Sequence, residues 1–420
     1  MTQDASTQAI RLGMVAWHAL PAIVPRAGSS VGGLETGAWT LARGLRKFTS
    51  IGPAFFVRTT TLRNVSVVDE VPLFYDRQLL ANIRRDFSDA ISLGPPLRVH
   101  RLSTRLLWQI PLLALARLGR KIPLPHPTQP DPRLLCAKVD AWAGFGVNAD
   151  SARVVATAMT LGKPSLLFLE SNADLDPRLA AETDFINAYG ESSAVQRFAL
   201  RHASHVICQS DFQQQQLSRL FGIEGTLIRN PIDPHQWQTP HPVDRRYVLW
   251  IGRYDTFHKR PGLAIEVAKR LPTIPFRMII NPHDLEVERQ ISQSIPANIE
   301  IVPYVPFNQM PLEFAAARLF LCTGNPAHEG FPNVLLQAAA THTPICSLVD
   351  FDHFLERCGA GYSSCDSLDT LSQRVQQLWQ NGSDNHPAPI DWVQVDDYLQ
   401  KHHSLRATAN AVAEIVLKTV

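Results

Sequence analysis

Short apolar segments alternate with helical patterns along this chain, and the alternation starts again near residue 240. RLGMVAW (11–17) has the composition of a buried strand, and LETGAWTLARGLRKF (34–48) has apolar residues at helical spacing. Beyond the restart, RYVLWIGR (246–253) is again a strand, and PGLAIEVAKRL (261–271) is a helix that begins at a proline. Strands that alternate with helices indicate parallel sheets covered on both faces. The sequence therefore predicts an α/β protein with two Rossmann-like domains.

The length of the chain and a linker suggest where these domains divide. The 420 residues exceed what a single core ordinarily supports. TPHPVDRR (239–246) has the composition of a linker, which gives a first domain of residues 1–238 and a second of residues 239–397. Residues 398–420 have the pattern of a terminal helix. Ligands of such sheets bind where strand carboxyl ends meet helix N-termini, so the site is expected there.

The composition excludes several other classes of protein. With 45% hydrophobic and 19% charged residues, the chain is an ordinary globular one. Its six cysteines form no CxxC pair and have no histidine at metal-ligand spacing, which favours buried thiols over disulfides or a zinc site. The N-terminal residues lack a signal-peptide pattern, and no apolar run is long enough to span a membrane. A cytoplasmic protein is expected.

Two cations stand between a predicted strand and a predicted helix. Gly252 and Arg253 end the strand, and Lys259 precedes the helix. A loop that carries two cations beside free helix-end amides is suited to bind a diphosphate. The alternative is that these are solvated loop charges, which are common.

A second concentration of suitable groups is AHEGFPNVLLQAAATHTP (327–344). Glu329 lies just before a predicted helix, Gly330 permits a close backbone approach, and Gln337 lies on the second turn of the helix. Each has an ordinary alternative: Glu329 as a partner of the helix dipole, and Gln337 as a partly buried helix residue.

In the first domain, the pair Gly32-Gly33 precedes Glu35 and the first predicted helix. Such a pair is a short version of a loop that cradles phosphate, although a simple strand-to-helix turn would use the same residues.

Taken together and in order, these stretches resemble the retaining glycosyltransferases of family four, which have the two-domain GT-B fold. The resemblance covers most of the chain and is strongest over residues 203–362. The matching stretches are VGGLE, VICQS…LSRLFG…LIRNPID, LWIGRYDTFHKRPGLAIEVAKRL and EGFPNVLLQAAATHTPICS. The family fold implies two domains facing across a cleft, with residues 398–420 crossing back onto the first domain.

The resemblance also implies roles for individual residues. Arg253 and Lys259 would hold the donor diphosphate and stabilise the departing nucleoside diphosphate, and Glu329 would contact the donor sugar. The backbone amides of Asn333 and Val334 would bind phosphate oxygens. The implied donor-binding residues are Gly32, Gly33, Gly252, Gly330, Phe331, Asn333, Val334 and Gln337.

The chain departs from the family pattern at several positions. The second acid of the paired-glutamate motif is Gln337, so a charge-assisted bond to the ribose becomes a neutral one and weaker donor binding is expected. Many relatives carry a histidine where this chain has Ala143-Gly144-Phe145-Gly146. Glu170-Ser171-Asn172 stands in place of Thr-x-His, and Asn230-Pro231 in place of Asn-Gly.

No cofactor and no metal are expected, with a nucleotide sugar as the substrate. Two Asp-x-Asp triplets occur, at 174–176 and 350–352, and such triplets bind metal in a different glycosyltransferase fold. Chance is the better account of short motifs in a chain with 38 acidic residues. Metal-independent activity is therefore predicted.

The acceptor is expected to be a glycan or a lipid-linked molecule, with surface polysaccharide or glycoconjugate synthesis as the setting. Between Asp89 and Asp131 there is no acidic residue. Apolar residues interleaved with arginine over 98–121 suit contact with the anionic inner face of a membrane. The alternative is an internally packed helix with solvated arginines, whose pattern Pro111 interrupts. The basic residues are Arg98, Arg101, Arg105, Arg117, Arg120 and Lys121.

Two functions other than transfer are compatible with the same scaffold. The rivals are a nucleotide-sugar epimerase of the GT-B type and a non-catalytic nucleotide-sugar-binding protein. A nucleic-acid partner is not expected, because the basic segment is rich in apolar residues and the chain carries a net charge of only +2. Hydride transfer is disfavoured because no GxGxxG follows any predicted strand.

Overall fold

The structure is a computed structural model of the full chain. It describes residues 10–24, 32–61, 65–78, 80, 83–84, 87, 90–92, 98–99, 104–118, 126–239, 243–282, 284–293, 295–381 and 390–420. Its strands are β1 (Arg11–Val15), β2 (Gly52–Thr59), β3 (Val67–Val68), β4 (Val71–Arg77), β5 (Ile91–Ser92), β6 (Arg98–Val99), β7 (Ala141–Phe145), β8 (Ser165–Phe168), β9 (His205–Cys208), β10 (Thr226–Leu227), β11 (Tyr247–Arg253), β12 (Phe276–Asn281), β13 (Ile299–Val302), β14 (Ala317–Cys322), β15 (Ile345–Ser347) and β16 (Gly361–Ser363).

The α-helices follow the strands in the alternation that the sequence predicts. They are α1 (Leu20–Ile23), α2 (Gly33–Phe48), α3 (Leu106–Leu118), α4 (Ala149–Thr160), α5 (Pro177–Ala180), α6 (Ser193–His202), α7 (Asp211–Phe221), α8 (Pro234–Trp237), α9 (Pro261–Arg270), α10 (Leu285–Ser292), α11 (Met310–Ala315), α12 (Asn333–Ala340), α13 (Phe354–Cys358), α14 (Leu368–Asn381), α15 (Trp392–His402) and α16 (Leu405–Thr419). Among the described residues, no helix combines the length and the apolarity needed to cross a bilayer.

The first sheet has eight strands in the order β10-β9-β8-β7-β1-β2-β4-β3, all parallel except for the β3–β4 pair. The second has six parallel strands in the order β13-β12-β11-β14-β15-β16. The strand order reverses direction at β1/β7 in the first sheet and at β11/β14 in the second. The two predicted Rossmann-like domains are thus confirmed, and the carboxyl edges at these switch points are where ligands of such sheets bind.

The chain crosses between the domains a second time near its end. Val395 and Leu399 of α15 pack in the second domain's core, whereas Ala409 and Val412 of α16 pack in the core of the first. The terminal helix expected over 398–420 is therefore two helices. The break falls where the His403 carbonyl accepts the amide of Ile232 at 2.9 Å and Ser404 begins α16.

Helix α16 lies directly on α2. A methyl group at Gly44 of α2 would come within 2.5 Å of the Leu405 side chain, so this glycine allows close helix packing. The contact ties the end of the chain to the helix that begins at Gly33, on the wall of the cleft between the domains.

Candidate active site between the domains

A cavity of about 380 Å³ lies in the cleft, where the carboxyl edges of the two sheets face each other. Its wall combines the N-terminal turn of α2, the end of β8, the end of β11 and the N-terminus of α12. Ten of the eleven predicted site residues line it: Gly32, Gly33, Gly252, Arg253, Lys259, Glu329, Phe331, Asn333, Val334 and Gln337.

Asp255 organises the loop that carries the two predicted cations. Its Oδ2 pairs with Arg253 Nε at 2.8 Å, while its Oδ1 accepts the amides of His258 at 2.7 Å and Lys259 at 2.9 Å. Burial would raise the pKa of this carboxyl group, but the Arg253 side chain and the two amides outweigh burial and hold the pKa below its usual value. Asp255 therefore stays charged and fixes the course of the loop.

Lys259 forms an ion pair with Glu329, whose side chain is buried. His258 Nδ1 lies 3.6 Å from the same Glu329 oxygen. Burial, followed by the positive charges of Lys259 and Arg253, lowers the pKa of His258 to about 2, so this imidazole is neutral at neutral pH. Lys259 is therefore the cation that balances Glu329.

The loop that carries Arg253 and Lys259 is held by hydrogen bonds to the loop that follows β14. Thr323 Oγ1 donates to the Lys259 carbonyl at 2.8 Å and accepts from Trp250 Nε1 at 2.9 Å. Arg260 has a left-handed backbone (φ 53°), and its guanidinium donates to the carbonyls of Thr323 at 2.8 Å and Gly324 at 2.5 Å. Lys259 and Glu329 thus lie on two loops that are held as one unit.

The N-terminus of α12 opens onto the same cavity. Pro332 precedes the helix, and no side chain caps it, so the amides of Asn333 and Val334 have no partner within the helix. Uncapped helix amides next to two cations make a site for an anion. Gln337 adds a side-chain amide one turn further on.

Asn333 uses its side chain to join the domains instead of capping the helix. Its Nδ2 donates to the Gly33 carbonyl at 3.1 Å, and its Oδ1 accepts from Asn230 Nδ2 at 2.8 Å. Asn230 also donates to Gln209 Oε1 at 2.7 Å. The Gly33 carbonyl, the Asn230 side chain and the start of α12 therefore form one hydrogen-bonded set.

Gly330, the eleventh predicted residue, lies beside the cavity wall rather than on it. A methyl group there would come within 2.3 Å of Gln209 Nε2 and 2.8 Å of the Glu170 carbonyl. The next amide, of Phe331, donates to Gln209 Oε1 at 3.1 Å. The close backbone approach expected of Gly330 is thus made to the first domain.

Several residues of the wall were not singled out as site residues from the sequence. In the first domain they are Glu170, Ser171 and Tyr189, and in the second Tyr304 and Phe307. Glu170 follows the carboxyl end of β8, two strands from the switch point, a position that marks such residues as candidates. Tyr304 and Phe307 follow β13 and give the cavity an apolar end. Their segment carries no polar motif, so no sequence pattern marks them as site residues.

The Asp-x-Asp triplets have structural partners. Asp174 accepts three backbone amides at 2.8–3.2 Å, and Asp176 pairs with an arginine of α5 at 2.7 Å. Asp350 accepts two amides at the start of α13, and Asp352 is buried in an ion pair with Arg229. None of the four aspartates lines the cavity described here.

Only part of the segment 98–121 can be located. Residues 100–103 and 119–121 lie outside the described residues, whereas 106–118 form α3, which continues through Pro111. Leu106 and Gln109 are buried, but Leu107 is 79% exposed, Trp108 52% and Leu115 67%. The helix therefore turns a polar side chain inward and apolar ones outward.

No known protein-family model matches the sequence, and no curated protein matches it. Solved structures do match the fold. A sucrose-phosphate synthase from Thermosynechococcus elongatus is similar with a TM-score of 0.64 at 14% identity, over 97% of this chain and 98% of that one. Anabaena HepE in complex with UDP and glucose is similar with a TM-score of 0.63 at 12% identity, over 98% and 100%.

A mutant of S. aureus TarM, in complex with Fondaparinux, alpha-GlcNAc-glycerol and UDP, is similar with a TM-score of 0.64 at 11% identity, over 97% of this chain and 99% of that one. At such identities the likeness establishes the fold. It is the GT-B arrangement, in which two Rossmann-like domains face each other across a cleft.

Proposed function

We propose that this protein is a retaining glycosyltransferase of family four, which moves a sugar from a nucleotide-sugar donor to a glycan or lipid-linked acceptor. One observation carries the proposal: Arg253, Lys259 and the uncapped start of α12 converge on a single cavity between the domains. Two cationic side chains and free helix-end amides in one place offer hydrogen-bond donors to the oxygens of a diphosphate. The GT-B fold, and the UDP named in the HepE and TarM complexes, agree with such a donor.

The chemistry follows from where charge develops during transfer. As the bond from the anomeric carbon to the diphosphate breaks, negative charge builds on the diphosphate while the sugar becomes cation-like. Arg253, Lys259 and the amides of Asn333 and Val334 are fixed before reaction, so they stabilise that charge without reorganising. The resemblance to family four implies attack from the same face, with retention of the anomeric configuration.

Glu329 and Gln337 complete the donor site in this proposal. Glu329 contacts donor-sugar hydroxyl groups, which a carboxylate accepts through charge-assisted hydrogen bonds. Gln337 accepts a ribose hydroxyl through a neutral bond, so it binds the nucleoside less tightly than an acid would. The apolar end of the cavity, with Tyr304 and Phe307, is left for the base.

The acceptor side is proposed to operate at the inner face of a membrane. The apolar residues that α3 exposes lie in the stretch between Asp89 and Asp131, which contains arginines and no acidic residue, and such a stretch suits an anionic lipid surface. A lipid-linked acceptor in polysaccharide or glycoconjugate synthesis would be reached from that surface.

We further propose that transfer needs no metal, because the Arg253 and Lys259 side chains and the uncapped amides of α12 already supply hydrogen-bond donors for the diphosphate oxygens. Among the described residues, one group suited to share a cation, Asp350 with His353 and Glu356, lies outside the cavity. Turnover should persist in excess EDTA. Loss of turnover that Mg²⁺ or Mn²⁺ restores would contradict this part of the proposal.

The main test is turnover of a nucleotide sugar by Arg253→Ala and Lys259→Ala variants. Each should lose about 10²–10³-fold in turnover, the range for removing one preorganised group. Lys269→Ala, an exposed lysine at the end of α9, is the matched control and should stay near normal. Near-normal activity in both test variants would refute the proposal. Epimerised donor without acceptor would support the epimerase, and donor binding without turnover a non-catalytic protein.

A further inference from the structure

The two walls of the cavity carry different charges. The second domain contributes Arg253 and Lys259 together with Glu329, which is paired with the lysine, whereas the first contributes Glu35 and Glu170. Among the described lining residues of the first domain, none is lysine, arginine or histidine. A ligand that spans the cavity therefore meets side chains of both signs on one side and only acidic ones, among the described charged residues, on the other.

Glu170 is held firmly at the cavity edge. Asp174 Oδ2 accepts its amide at 2.8 Å and the Ser171 amide at 3.0 Å. The Leu169 amide donates to the Ile207 carbonyl at 2.9 Å, which fixes the preceding residue to β9. On the other side the Glu170 carbonyl packs against Gly330, as described above. The backbone is thus fixed on both sides at a residue that lines the cavity.

No cation of the described residues forms an ion pair with Glu170. The nearest candidates in the cavity are engaged elsewhere, Lys259 with Glu329 and Arg253 with Asp255. Burial, then the nearby carboxyl groups of Asp174 and Glu35, raises the pKa of Glu170 well above its usual value. A carboxyl group of a cavity-lining residue that has no hydrogen bond or ion pair with a described side chain keeps hydrogen-bonding capacity for a ligand.

We propose that Glu170, with Glu35 beside it, forms a subsite for the hydroxyl groups of an uncharged sugar and discriminates against sugars that carry a carboxylate. The inference rests on the proposed function and names the class of donor sugar. Carboxyl oxygens hydrogen-bond readily to sugar hydroxyls. The carboxylate of a uronic acid in the same place would face two carboxyl groups with no described cation on that wall, and like charges in such a setting repel strongly.

The discrimination should depend on pH. Below its raised pKa Glu170 is neutral, and above it the group is charged, so repulsion of a uronate grows as the pH rises. The other groups that face Glu170 are Glu35 from α2, Asp174 from its own loop, and Glu329 paired with Lys259 across the cleft. The hydroxyl group of Tyr189 stays neutral near neutral pH, because burial raises its pKa to about 12.

The test is calorimetric titration of the full chain with UDP, UDP-glucose and UDP-glucuronate, repeated with GDP, GDP-mannose and GDP-mannuronate if the guanosine series binds better. The wild-type protein should bind the uronate about tenfold or more weakly than the neutral sugar at pH 7.5. The ratio of the two affinities should widen as the pH rises through the raised pKa of Glu170. In Glu170→Gln the ratio should fall at least threefold and lose its pH dependence, while the affinity for the nucleoside diphosphate stays unchanged.

Glu191→Gln is the matched control, since Glu191 is also a partly buried glutamate of raised pKa but lies outside the cavity. It should keep the wild-type ratio. If Glu170→Gln does not fold, Glu35→Gln should move the ratio in the same direction by a smaller factor. Equal affinity of the wild type for neutral and uronate sugars, or a ratio unchanged by either substitution, would overturn the inference while diphosphate binding persists. Absence of binding by any nucleoside diphosphate would instead refute the proposed function, and this inference with it.

Discussion

The Asn333 side chain donates a hydrogen bond to the Gly33 carbonyl across the cleft, at 3.1 Å. This hydrogen bond holds the start of α12 in the second domain next to the glycine pair of the first. A cavity built in this way exists only while the two domains are in contact, so the donor site depends on groups that lie outside it.

Gly330→Ala tests this dependence. The added methyl group would come within 2.3 Å of Gln209 Nε2, so the domains must shift apart and the catalytic groups must move. We expect turnover to fall about a hundredfold, the loss typical of a displacement near 1 Å. Small-angle scattering should show a more open molecule. Gly262→Ala on α9, where an added methyl group meets nothing within 4 Å, is the matched control and should keep wild-type turnover. Wild-type activity in both variants would contradict the prediction.

The ion pair of Lys259 and Glu329 makes a prediction about stability. Lys259→Met leaves the buried Glu329 carboxylate without its cation, at a cost of about 1–3 kcal/mol of the free energy of unfolding. The variant should still fold, with a lower midpoint of thermal unfolding. Adding Glu329→Gln removes the unpaired charge. The double variant should therefore regain part of the lost midpoint temperature of thermal unfolding, but none of the lost turnover. Equal midpoints in the single and double variants would show that the pair is not the cause.

His403 predicts a loss of stability on acidification. Its ring is buried, with Nδ1 2.8 Å from the Asn230 carbonyl, and burial lowers its pKa from 6.5 to about 4. Between these values the unfolded chain binds a proton that the folded chain does not, so stability falls as the pH drops through this range. The slope approaches about 1.4 kcal/mol per pH unit for each such histidine.

The midpoint of thermal unfolding should therefore fall less between pH 7 and pH 5 in His403→Gln than in the wild type. Part of the fall should remain, because His258 has a lowered pKa as well. An identical slope in the wild type and in His403→Gln would contradict this account of His403.

The exposed face of α3 predicts binding to anionic membranes. Co-sedimentation should be strong with vesicles rich in phosphatidylglycerol and weak with phosphatidylcholine alone. Leu107→Glu with Trp108→Glu should reduce binding by about tenfold or more, because two exposed apolar side chains that would insert into the membrane surface are replaced by charges that anionic lipids repel. Leu285→Glu, at an apolar residue of the second domain that is 82% exposed, is the control. Binding that ignores lipid charge, or that survives the double substitution, would contradict a role for this helix.

The sequence predicts the parts of the site that follow from local pattern. Arg253 ends one strand and Glu329 follows another, and parallel strands bring their carboxyl ends to one edge, so these motifs were expected to meet. Strands β2 and β4 were not anticipated, since their apolar runs carry no motif. Contacts between distant segments were also missed. The approach of Gly330 to Gln209 depends on how the domains dock, which no local pattern contains.

The break between α15 and α16 has a similar cause. The apolar spacing of residues 398–420 suits one helix, but the two halves pack on different domains, and the chain turns at Ser404 to reach the first. Glu170 had a usable signal in its place at the end of β8. Its place in the proposal rests on the absence of a cationic partner among the described residues, which is visible only in three dimensions.

The most direct measurement is a crystal structure of the protein with a bound nucleotide sugar, such as UDP-glucose. The account predicts diphosphate oxygens within hydrogen-bonding distance of Arg253, Lys259 and the amides of Asn333 and Val334, with the sugar against Glu329. A diphosphate bound away from Arg253 and Lys259 would contradict the central claim.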